Sequence, residues 1–305
     1  MNTLITGGKG LLGSSITFGL KPGRDELDIM KYDDLSSYIK KHKIDSIVHA
    51  AAKVGGVKAN TDYVYDFFSD NMTMNVNVMN ACKNHNFKKA LFIVSTCAFP
   101  FSAPIPLKEE CLHNGEPHHT NFGYAYSKRM LEVGCRALRQ QYGIQCSCVI
   151  PCNLYGENDN YNLNSGHVIP SLIHKCWMAK QNNSTFEIWG SGKAEREFIY
   201  VNDFAQIIYE LTHLKSYIPD MMIISPEFTY TIEEIVMHIA KIFDFNGKVF
   251  FDKTKPEGIM KKNSDNSIFR KNFPCFKFTS LENGLAANIE FFIKNYNSLR
   301  KWALK

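Results

Sequence analysis

The sequence predicts an α/β protein built on a Rossmann-type, doubly wound parallel sheet with a smaller C-terminal α/β domain. Two observations predict the sheet: short apolar runs alternate with longer helical patterns in the first half of the chain, and a glycine-rich turn joins the first strand to the first helix. Strands separated by helices pair in parallel through crossover connections. After Pro151 the rhythm changes to a stretch rich in Asn, Gly and Ser, which indicates a second unit.

The expected strands of the sheet are short apolar runs that end in polar or small residues. They are Thr3–Thr6, Asp45–Ala52, Lys89–Ser95 and Gln145–Pro151. Helices are expected between them at Leu35–His42, Val64–Asn84 and Tyr126–Tyr142. Functional groups in such sheets gather at the carboxyl ends of the strands, so the residues that follow them are the first candidates for a site.

The domain boundaries follow from the change of pattern. Residues 1–153 and about 197–225 are expected to form the Rossmann domain, and about 154–196 and 226–305 the substrate domain. The second domain is expected to contain helices near 167–180, 231–243 and 281–296 and a strand at 184–189.

Composition excludes several classes of protein. The 305 residues carry a formal charge of +5 with lysines scattered along the chain, which argues against nucleic acid as a partner. No apolar stretch approaches the roughly 18–20 residues of a membrane span, and the first residues lack the pattern of a signal peptide. Nine cysteines without a CxxC pair indicate reduced thiols in a cytoplasmic protein and argue against a zinc site.

The turn "TGGKGLLG" places Gly7, Gly10 and Gly13 between the first strand and the first helix. Glycines let the backbone approach a pyrophosphate, and the helix N-terminus offers unpaired N–H groups. This context favours dinucleotide binding over the alternative of a plain turn.

Residues 18–31 are too short to hold the usual second strand, which ends in an acidic residue that binds the ribose of NAD. They offer Lys21 and Arg24 instead. A cation at this place suits a 2′-phosphate and therefore favours NADPH; the alternative is that both cations only face solvent.

Tyr124 and Lys128 in "FGYAYSKRM" are four residues apart and share one face of the expected helix. A phenol with a pKa near 10 needs help to donate a proton at neutral pH, and a lysine one turn away lowers its pKa. Tyr126 is only two residues from Lys128 and points elsewhere, so Tyr124 is the better partner. A serine, Ser95, stands at the end of the preceding strand.

Gly7, Gly10, Gly13, Ser95, Tyr124 and Lys128 together resemble the extended short-chain dehydrogenase/reductase family. Within it, the strings "AAAKVGGVKAN", "STCAFP", "NLYGENDN", "GHVIPSLIHK" and "WGSGKAEREFIYVND" are similar to GDP-L-fucose synthases along essentially the whole chain. These enzymes epimerise GDP-4-keto-6-deoxymannose at C3 and C5 and then reduce C4 with NADPH.

The resemblance implies an enzyme with NADPH/NADP as cofactor and a GDP-linked 4-keto sugar as substrate. It also implies a homodimer that pairs through helices 64–84 and 126–142. Ser95, Tyr124 and Lys128 correspond to the reductase triad. The implied cofactor contacts are Gly7, Gly10, Leu11, Leu12, Gly13, Arg24, Asp28, Ala51 and Lys128. The implied substrate contacts are Asn153, His167, Lys175, Trp189, Arg196 and Lys262.

Cys97 and His167 correspond to the acid/base pair that epimerises the sugar. A C4 ketone acidifies the protons at C3 and C5, and a thiol and an imidazole have pKa values near enough to neutrality to exchange them. The alternatives are a buried apolar cysteine and a solvated or helix-capping histidine. His49, which closes a strand, is expected to be a core residue.

The pocket departs from the family at Asn158, Cys152 and Ala98, which stand where histidine, threonine and a larger apolar residue are usual. A smaller Ala98 is expected to admit a bulkier sugar or to alter the placement of the sugar ring. The leading function is therefore C4-reduction of a GDP-linked 4-keto sugar, with possible C3/C5 epimerisation. The alternatives are a GDP-4-keto-heptose C4-reductase, a non-catalytic NADP sensor and a UDP-sugar 4-epimerase.

Overall fold

The computed structural model describes residues 2–163, 165–255 and 259–299, so the expected C-terminal residues 300–305 of the second domain lie outside it. The strands, in chain order, are β1 (Thr3–Thr6), β2 (Ser46–His49), β3 (Lys89–Ile93), β4 (Gln145–Pro151), β5 (Asn153–Tyr155), β6 (Phe186–Trp189), β7 (Glu195–Arg196), β8 (Phe198–Tyr200), β9 (Met221–Ile224), β10 (Tyr230–Thr231), β11 (Val249–Asp252) and β12 (Lys261–Lys262). The helices are α1 (Leu11–Ser15), α2 (Tyr32–His42), α3 (Val57–Asp62), α4 (Val64–Asn84), α5 (Phe122–Tyr142), α6 (Val168–Gln181), α7 (Val201–His213), α8 (Ile232–Ile242), α9 (Ser267–Asn272) and α10 (Leu281–Asn295).

A parallel sheet in the order β1-β2-β3-β4-β9 forms the centre of the molecule. Its strands are buried apolar runs covered on both faces, as parallel sheets require. Helices α2, α4 and α5 cover one face, and α1, α7 and α9 cover the other. The predicted Rossmann-type α/β fold is confirmed.

At the outer edge of β1, a single residue, Leu20, pairs with the strand where a further strand would be usual. Leu20 pairs with Leu4, and its backbone exchanges hydrogen bonds of 2.8 Å with Thr3 and Ile5. Residues 18–31, all of which the structure describes, otherwise form turns. The expected loss of the usual second strand is therefore confirmed.

The elements that carry chemistry differ from expectation mainly at their ends. Helix α4 has the expected bounds, whereas α5 begins at Phe122 instead of Tyr126 and so includes Tyr124 in its first turn. Strand β2 ends at His49, three residues before the expected end, because the chain turns there towards the glycine loop.

A second apolar cluster lies outside the sheet. Helices α6, α8 and α10 enclose it with β6 and β8, and buried aromatic residues such as Tyr161 and Phe292 fill it. Helix α9 does not belong to it, because Phe269 packs against the sheet beside α7 and β9. The boundaries of the substrate domain stay a prediction. No helix in the described ranges is long and apolar enough to cross a membrane.

Candidate active site

Ser95 and Tyr124 meet beyond the carboxyl end of β3. Ser95 begins the 3₁₀ turn Thr96–Ala98, and its Oγ accepts the backbone N–H of Cys97 at 3.2 Å. Tyr124, in the first turn of α5, lies close enough to Ser95 for the serine hydroxyl to act against the rise of its pKa. The structure therefore brings the sequence-predicted serine and tyrosine together.

A chain of buried hydrogen bonds fixes α5 against the sheet. Thr6 Oγ1 contacts His49 Nδ1 at 2.8 Å, and His49 Nε2 contacts Asn75 Oδ1 at 3.1 Å. Asn75 Nδ2 then donates to Ser127 O at 2.9 Å. Burial, aided by Lys128, lowers the pKa of His49 to about 3, so its ring is neutral. The expectation that His49 is a satisfied core residue is confirmed.

Lys128 lies beneath Tyr124 and is only 3% exposed. Its Nζ donates to Ile93 O at 2.8 Å and lies 6.0 Å from the centre of the Tyr124 ring. Burial lowers the pKa of Lys128 to about 8. Burial and the neighbouring Cys97 raise the pKa of Tyr124, against the hydrogen bond with Ser95. The phenol therefore holds its proton at neutral pH. The expected stabilisation of its anion by Lys128 stays a prediction.

Cys97 faces the same pocket from the 3₁₀ turn and is partly exposed. Burial alone would raise the pKa of its thiol, but Lys262, a hydrogen bond with Ser95, the charge of His167 and a hydrogen bond with Asn121 together lower it. A packed apolar cysteine has a raised pKa, as Cys82 does. Cys97 is thus set apart from the core thiols by its surroundings.

His167 caps the N-terminus of α6 with its backbone and has a half-exposed side chain. Its Nδ1 lies 3.4 Å from Oδ1 of Asp159, whose side chain is 3% exposed. Burial alone would lower the pKa of His167, but Asp159, followed by Cys97, outweighs burial and raises it. Cys97 and His167 therefore favour each other's charged form, thiolate and imidazolium.

Ala98 does not line the pocket. Its side chain is fully buried in the core beside α5, and its carbonyl accepts two hydrogen bonds from the Arg129 guanidinium. The expectation that a small Ala98 admits a bulkier sugar is wrong, because the 3₁₀ turn directs Cys97 outwards and Ala98 inwards. Cys152 is nearly buried beside Glu197, and Asn158 occupies a left-handed position with φ 63°.

The glycine turn has the close approaches that a dinucleotide site requires. Gly7 has φ 72°, and a Cβ there would lie 2.8 Å from the backbone N of Ala51. A Cβ at Gly13 would overlap Gly7 O, whereas one at Gly10 would meet Gly7 O at 3.3 Å. Gly10 precedes α1, whose first N–H groups, from Leu11 and Leu12 onwards, lack intrahelical acceptors. The residues present fit a pyrophosphate bound over this turn.

The cations expected near the adenosine differ in their surroundings. Arg24 is exposed, whereas Lys21 donates to Ile16 O at 2.6 Å and so closes the end of α1. Asp28 accepts the N–H of Met30 at 3.1 Å in a local turn. Lys9, from inside the glycine turn, reaches across to Asp25 at 3.2 Å and lies against Gly23, next to Arg24.

An aromatic surface flanked by cations lies on the second unit. Trp189, at the end of β6, is 57% exposed. Lys175 Nζ lies 5.1 Å from the centre of the Trp189 ring. Lys255, in the turn after β11, has its Nζ 5.9 Å from the same ring. An exposed ring between two ammonium groups suits a planar base attached to phosphates.

The two-residue strand β7 carries Arg196 and pairs with β12, which places Lys262 opposite it. Next to Arg196 the buried Glu197 accepts Ser264 N at 3.0 Å, and Asn153 Nδ2 donates to Glu197 O at 2.8 Å. Burial raises the pKa of Glu197 to about 7, while Ser264 and Lys262 act in the opposite direction. Asn153, Arg196 and Lys262 therefore lie close together around Glu197: Asn153 bonds to its backbone carbonyl, Arg196 precedes it in the chain, and Lys262 acts on its carboxyl group.

Sequence reasoning missed four residues of the site. Lys9 stands inside the glycine motif, and its sequence position was a usable signal. Asp159 and Glu197 lie inside the quoted strings "NLYGENDN" and "WGSGKAEREFIYVND", and those strings were a usable signal for them. Their contacts, and that of Asn121, were not visible in sequence, because the partners of Asn121, Asp159 and Glu197 lie 24, 8 and 67 residues away along the chain.

Comparison with known proteins identifies the family. The model of the "NAD dependent epimerase/dehydratase family" matches residues 3–218. The chain belongs to this family. Among its members, a GDP-L-fucose synthase from Dictyostelium discoideum is 36% identical over 98% of this chain and 97% of its own length.

Two further proteins are similar to this chain along nearly its whole length. A GDP-L-colitose synthase from Yersinia pseudotuberculosis is 34% identical over 98% of this chain and 100% of its own. The crystal structure of a GDP-L-fucose synthetase from Naegleria fowleri bound to NADP has a TM-score of 0.91, with 34% identity over 98% of this chain and 94% of that chain. The resemblance to GDP-L-fucose synthases drawn from the motifs is confirmed.

Proposed function

We propose that the protein is an NADPH-dependent enzyme that epimerises a GDP-linked 4-keto-6-deoxy sugar at C3 and C5 and then reduces C4. One observation carries the proposal. A thiol with a lowered pKa and an imidazole with a raised pKa share a pocket with Ser95 and Tyr124. A reductase alone has no use for the first two groups.

The reduction assigns one role to each member of the triad. Ser95 donates a hydrogen bond to the C4 carbonyl oxygen, and Tyr124 transfers its phenolic proton to that oxygen as negative charge develops. Lys128, charged at neutral pH with a pKa of about 8, stabilises the phenolate that remains. Bound NADPH supplies the hydride to C4.

The cofactor would be held by the turn that contains Gly7, Gly10 and Gly13, with Leu11, Leu12 and Ala51 beside it. Arg24 would contact the 2′-phosphate together with Lys9, since both lie at the same corner. Asp28 stays a candidate contact from its local turn. Lys128 would also contact the nicotinamide ribose.

The epimerisation uses the charge states that the site favours. The Cys97 thiolate removes a proton from the sugar carbon on one face, and the His167 imidazolium gives a proton to the other face. Ser95 and Tyr124 stabilise the enolate oxygen at C4 between these steps. The two transfers leave the sugar with the same number of protons and an inverted centre.

The nucleotide of the substrate would lie on the second unit. Trp189, flanked by Lys175, suits the guanine and its phosphates, and Arg196 with Lys262 would neutralise the diphosphate. Asn153 would contact the sugar from the start of β5.

Incubation with GDP-4-keto-6-deoxymannose in D₂O tests both halves. Without NADPH, we expect deuterium at C3 and C5 by NMR; with NADPH, we expect oxidation of the cofactor and a C4 alcohol. Cys97→Ser is the matched variant, because it should lose the exchange and keep the triad. A wild-type protein that reduces the ketone without any exchange would contradict the epimerase half.

A C4-reductase of a GDP-4-keto-heptose is the alternative, favoured by the departures at Asn158 and Cys152. It predicts turnover of the heptose without exchange at C3 or C5. A non-catalytic NADP sensor predicts cofactor binding without oxidation by either ketone, and a UDP-sugar 4-epimerase predicts tightly held NAD without net oxidation. The same assays, run with both ketones and a UDP-sugar, separate these outcomes.

The homodimer is proposed from the outer faces of α4 and α5. Tyr65, Phe68 and Val76 on α4 and Val133 on α5 are exposed apolar side chains at helical spacing. Val133→Glu should shift the sedimentation coefficient towards a monomer, whereas Met237→Glu on α8, which is also apolar and even more exposed, should not. Equal behaviour of both variants would contradict this interface. A cytoplasmic location is proposed from the nine free thiols.

A further inference from the structure

Asp159, in the string "NLYGENDN", is a buried carboxylate to which the motifs assign no role. It lies in the loop between β5 and α6, and its side chain is 3% exposed. Oδ1 accepts the backbone N–H of Asn160 at 2.7 Å and lies 3.4 Å from His167 Nδ1. Within the described ranges, Oδ2 is buried and has no hydrogen-bond partner.

A carboxylate in such a position is costly to bury unless a cation compensates it. The ion pair that the structure gives Asp159 is with His167. The arrangement is therefore better suited to an imidazolium than to a neutral ring.

The pairing also distinguishes the two ring nitrogens of His167. Nδ1 holds its proton against Asp159 Oδ1, which leaves Nε2 as the nitrogen that exchanges protons. After Nε2 gives up its proton, the neutral ring keeps the Nδ1–H tautomer, and Nε2 is ready to be protonated again. A carboxylate behind a histidine fixes tautomer and ring orientation in this way in other proton-transfer sites.

Within the residues that the structure describes, two charged groups raise the pKa of His167. Asp159 faces it from the loop before α6, and Cys97 faces it from the 3₁₀ turn after β3. Lys262 on β12 faces Cys97 and favours the thiolate. The imidazolium thus stands between two anionic groups, one buried and fixed, the other at the place where the sugar would bind.

We propose that Asp159 is a positioning residue for His167: it holds the Nδ1–H so that Nε2 carries the proton delivered to the sugar carbon. This inference rests on the proposed epimerisation. The proton leaves Nε2 for the carbon, and the thiolate of Cys97 takes a proton from the opposite face. Asp159 itself neither gains nor loses one.

Asp159→Asn keeps the size of the side chain and an oxygen for the loop while it removes the charge. Asn160→Ala is the matched control, because Asn160 ties the same loop to Asn162 N at 3.0 Å and Ser165 Oγ at 3.1 Å. A role confined to loop structure predicts similar effects from both changes. A role through His167 predicts an effect from Asp159→Asn alone.

The first readout is the protonation of His167 in the full-length protein without substrate. Histidine labelled with ¹⁵N gives its pKa and tautomer by NMR, with His167→Gln used to assign the signal. We expect the Nδ1–H tautomer in the wild type, a lower pKa in Asp159→Asn and no change in Asn160→Ala. A His167 whose pKa and tautomer are the same in wild type and Asp159→Asn overturns the proposal, and the wild-type tautomer decides it even if that variant fails to fold.

The second readout is deuterium exchange into GDP-4-keto-6-deoxymannose across a pH series. Each unit by which the pKa of His167 falls reduces the imidazolium about tenfold above that pKa, so exchange at neutral pH should fall by about 10-fold to 100-fold in Asp159→Asn. The decline of the exchange rate at high pH should shift to lower pH by the change in the His167 pKa that NMR measures. The rate of reduction of an already epimerised ketone should stay within about twofold of the wild-type rate. Absence of exchange in the wild type would mark failure of the proposed function, whereas an active wild type with an unaltered Asp159→Asn profile would overturn only the role of Asp159.

Discussion

Replacement of Lys128 by methionine should separate stability from catalysis. Lys128 is 3% exposed, and its Nζ donates to Ile93 O at 2.8 Å. Burial lowers its pKa from 10.5 to about 8, so the folded protein carries a costly buried charge at neutral pH. Methionine retains a long side chain but removes the charge together with the hydrogen bond.

The size of the effect follows from the two pKa values. The difference between 10.5 and about 8 corresponds to about 3 kcal/mol. Because folding depresses the pKa of a base, the wild type bears the full cost below about pH 8 and none above about pH 10.5. Loss of the hydrogen bond to Ile93 costs about 1 kcal/mol at any pH. The free energy of unfolding of Lys128→Met, relative to wild type, should therefore fall by about 3 kcal/mol from about pH 7 to about pH 11.

Urea unfolding of the ligand-free protein at both pH values measures this change, and NADPH oxidation measures reduction, which should fall by about 100-fold or more. Lys89→Met is the control. Lys89 is 6% exposed, and its Nζ donates to Leu211 O and Leu214 O, on the side of the sheet away from the site. Reduction should persist in that variant. A Lys128→Met protein with the same relative stability at both pH values would refute the buried cation.

Three further changes test other parts of the site. Cys97→Ser should lower deuterium exchange by about 100-fold or more with an already epimerised ketone still reduced, and equal losses in both assays would argue against an acid/base role. Gly13→Ala should lower the free energy of unfolding by about 1–3 kcal/mol, since its Cβ would overlap Gly7 O, whereas Gly10→Ala should change it by under about 0.5 kcal/mol; similar urea midpoints would refute this difference. Folding raises the pKa of Glu197 to about 7, so its destabilising effect is absent below about pH 4.5 and complete above about pH 7. Glu197→Gln should thus gain up to about 3 kcal/mol over wild type across that window, and a flat difference in thermal stability would contradict it.

The sheet and the triad were predictable because their signals are local. Alternating apolar runs place strand ends within a few residues, and the spacing of Tyr124 and Lys128 places both on one helical face. The left-handed Gly7 follows from its place in the turn. Each of these features depends on neighbours within one or two turns of the chain.

The electrostatics of the pocket were not predictable in the same way. The charge that most favours the Cys97 thiolate belongs to Lys262, which is 165 residues away and reaches the pocket only through the pairing of β12 with β7. Ala98 was wrongly expected to line the pocket. Cys97 faces the pocket, whereas the next residue, Ala98, packs into the core. Both outcomes depend on the direction of a side chain, which residue type and spacing do not determine.

The two halves of the proposed chemistry differ in how firmly the fold holds them. Lys128 donates to β3, and the chain of buried hydrogen bonds from Thr6 to Ser127 fixes α5 to the sheet, so the reductase groups are anchored to the sheet. The acid/base pair depends on a 3₁₀ turn and a helix N-terminus, with charges supplied by a loop and a two-residue strand. A single change such as Asp159→Asn can therefore weaken epimerisation while the reductase groups keep their positions.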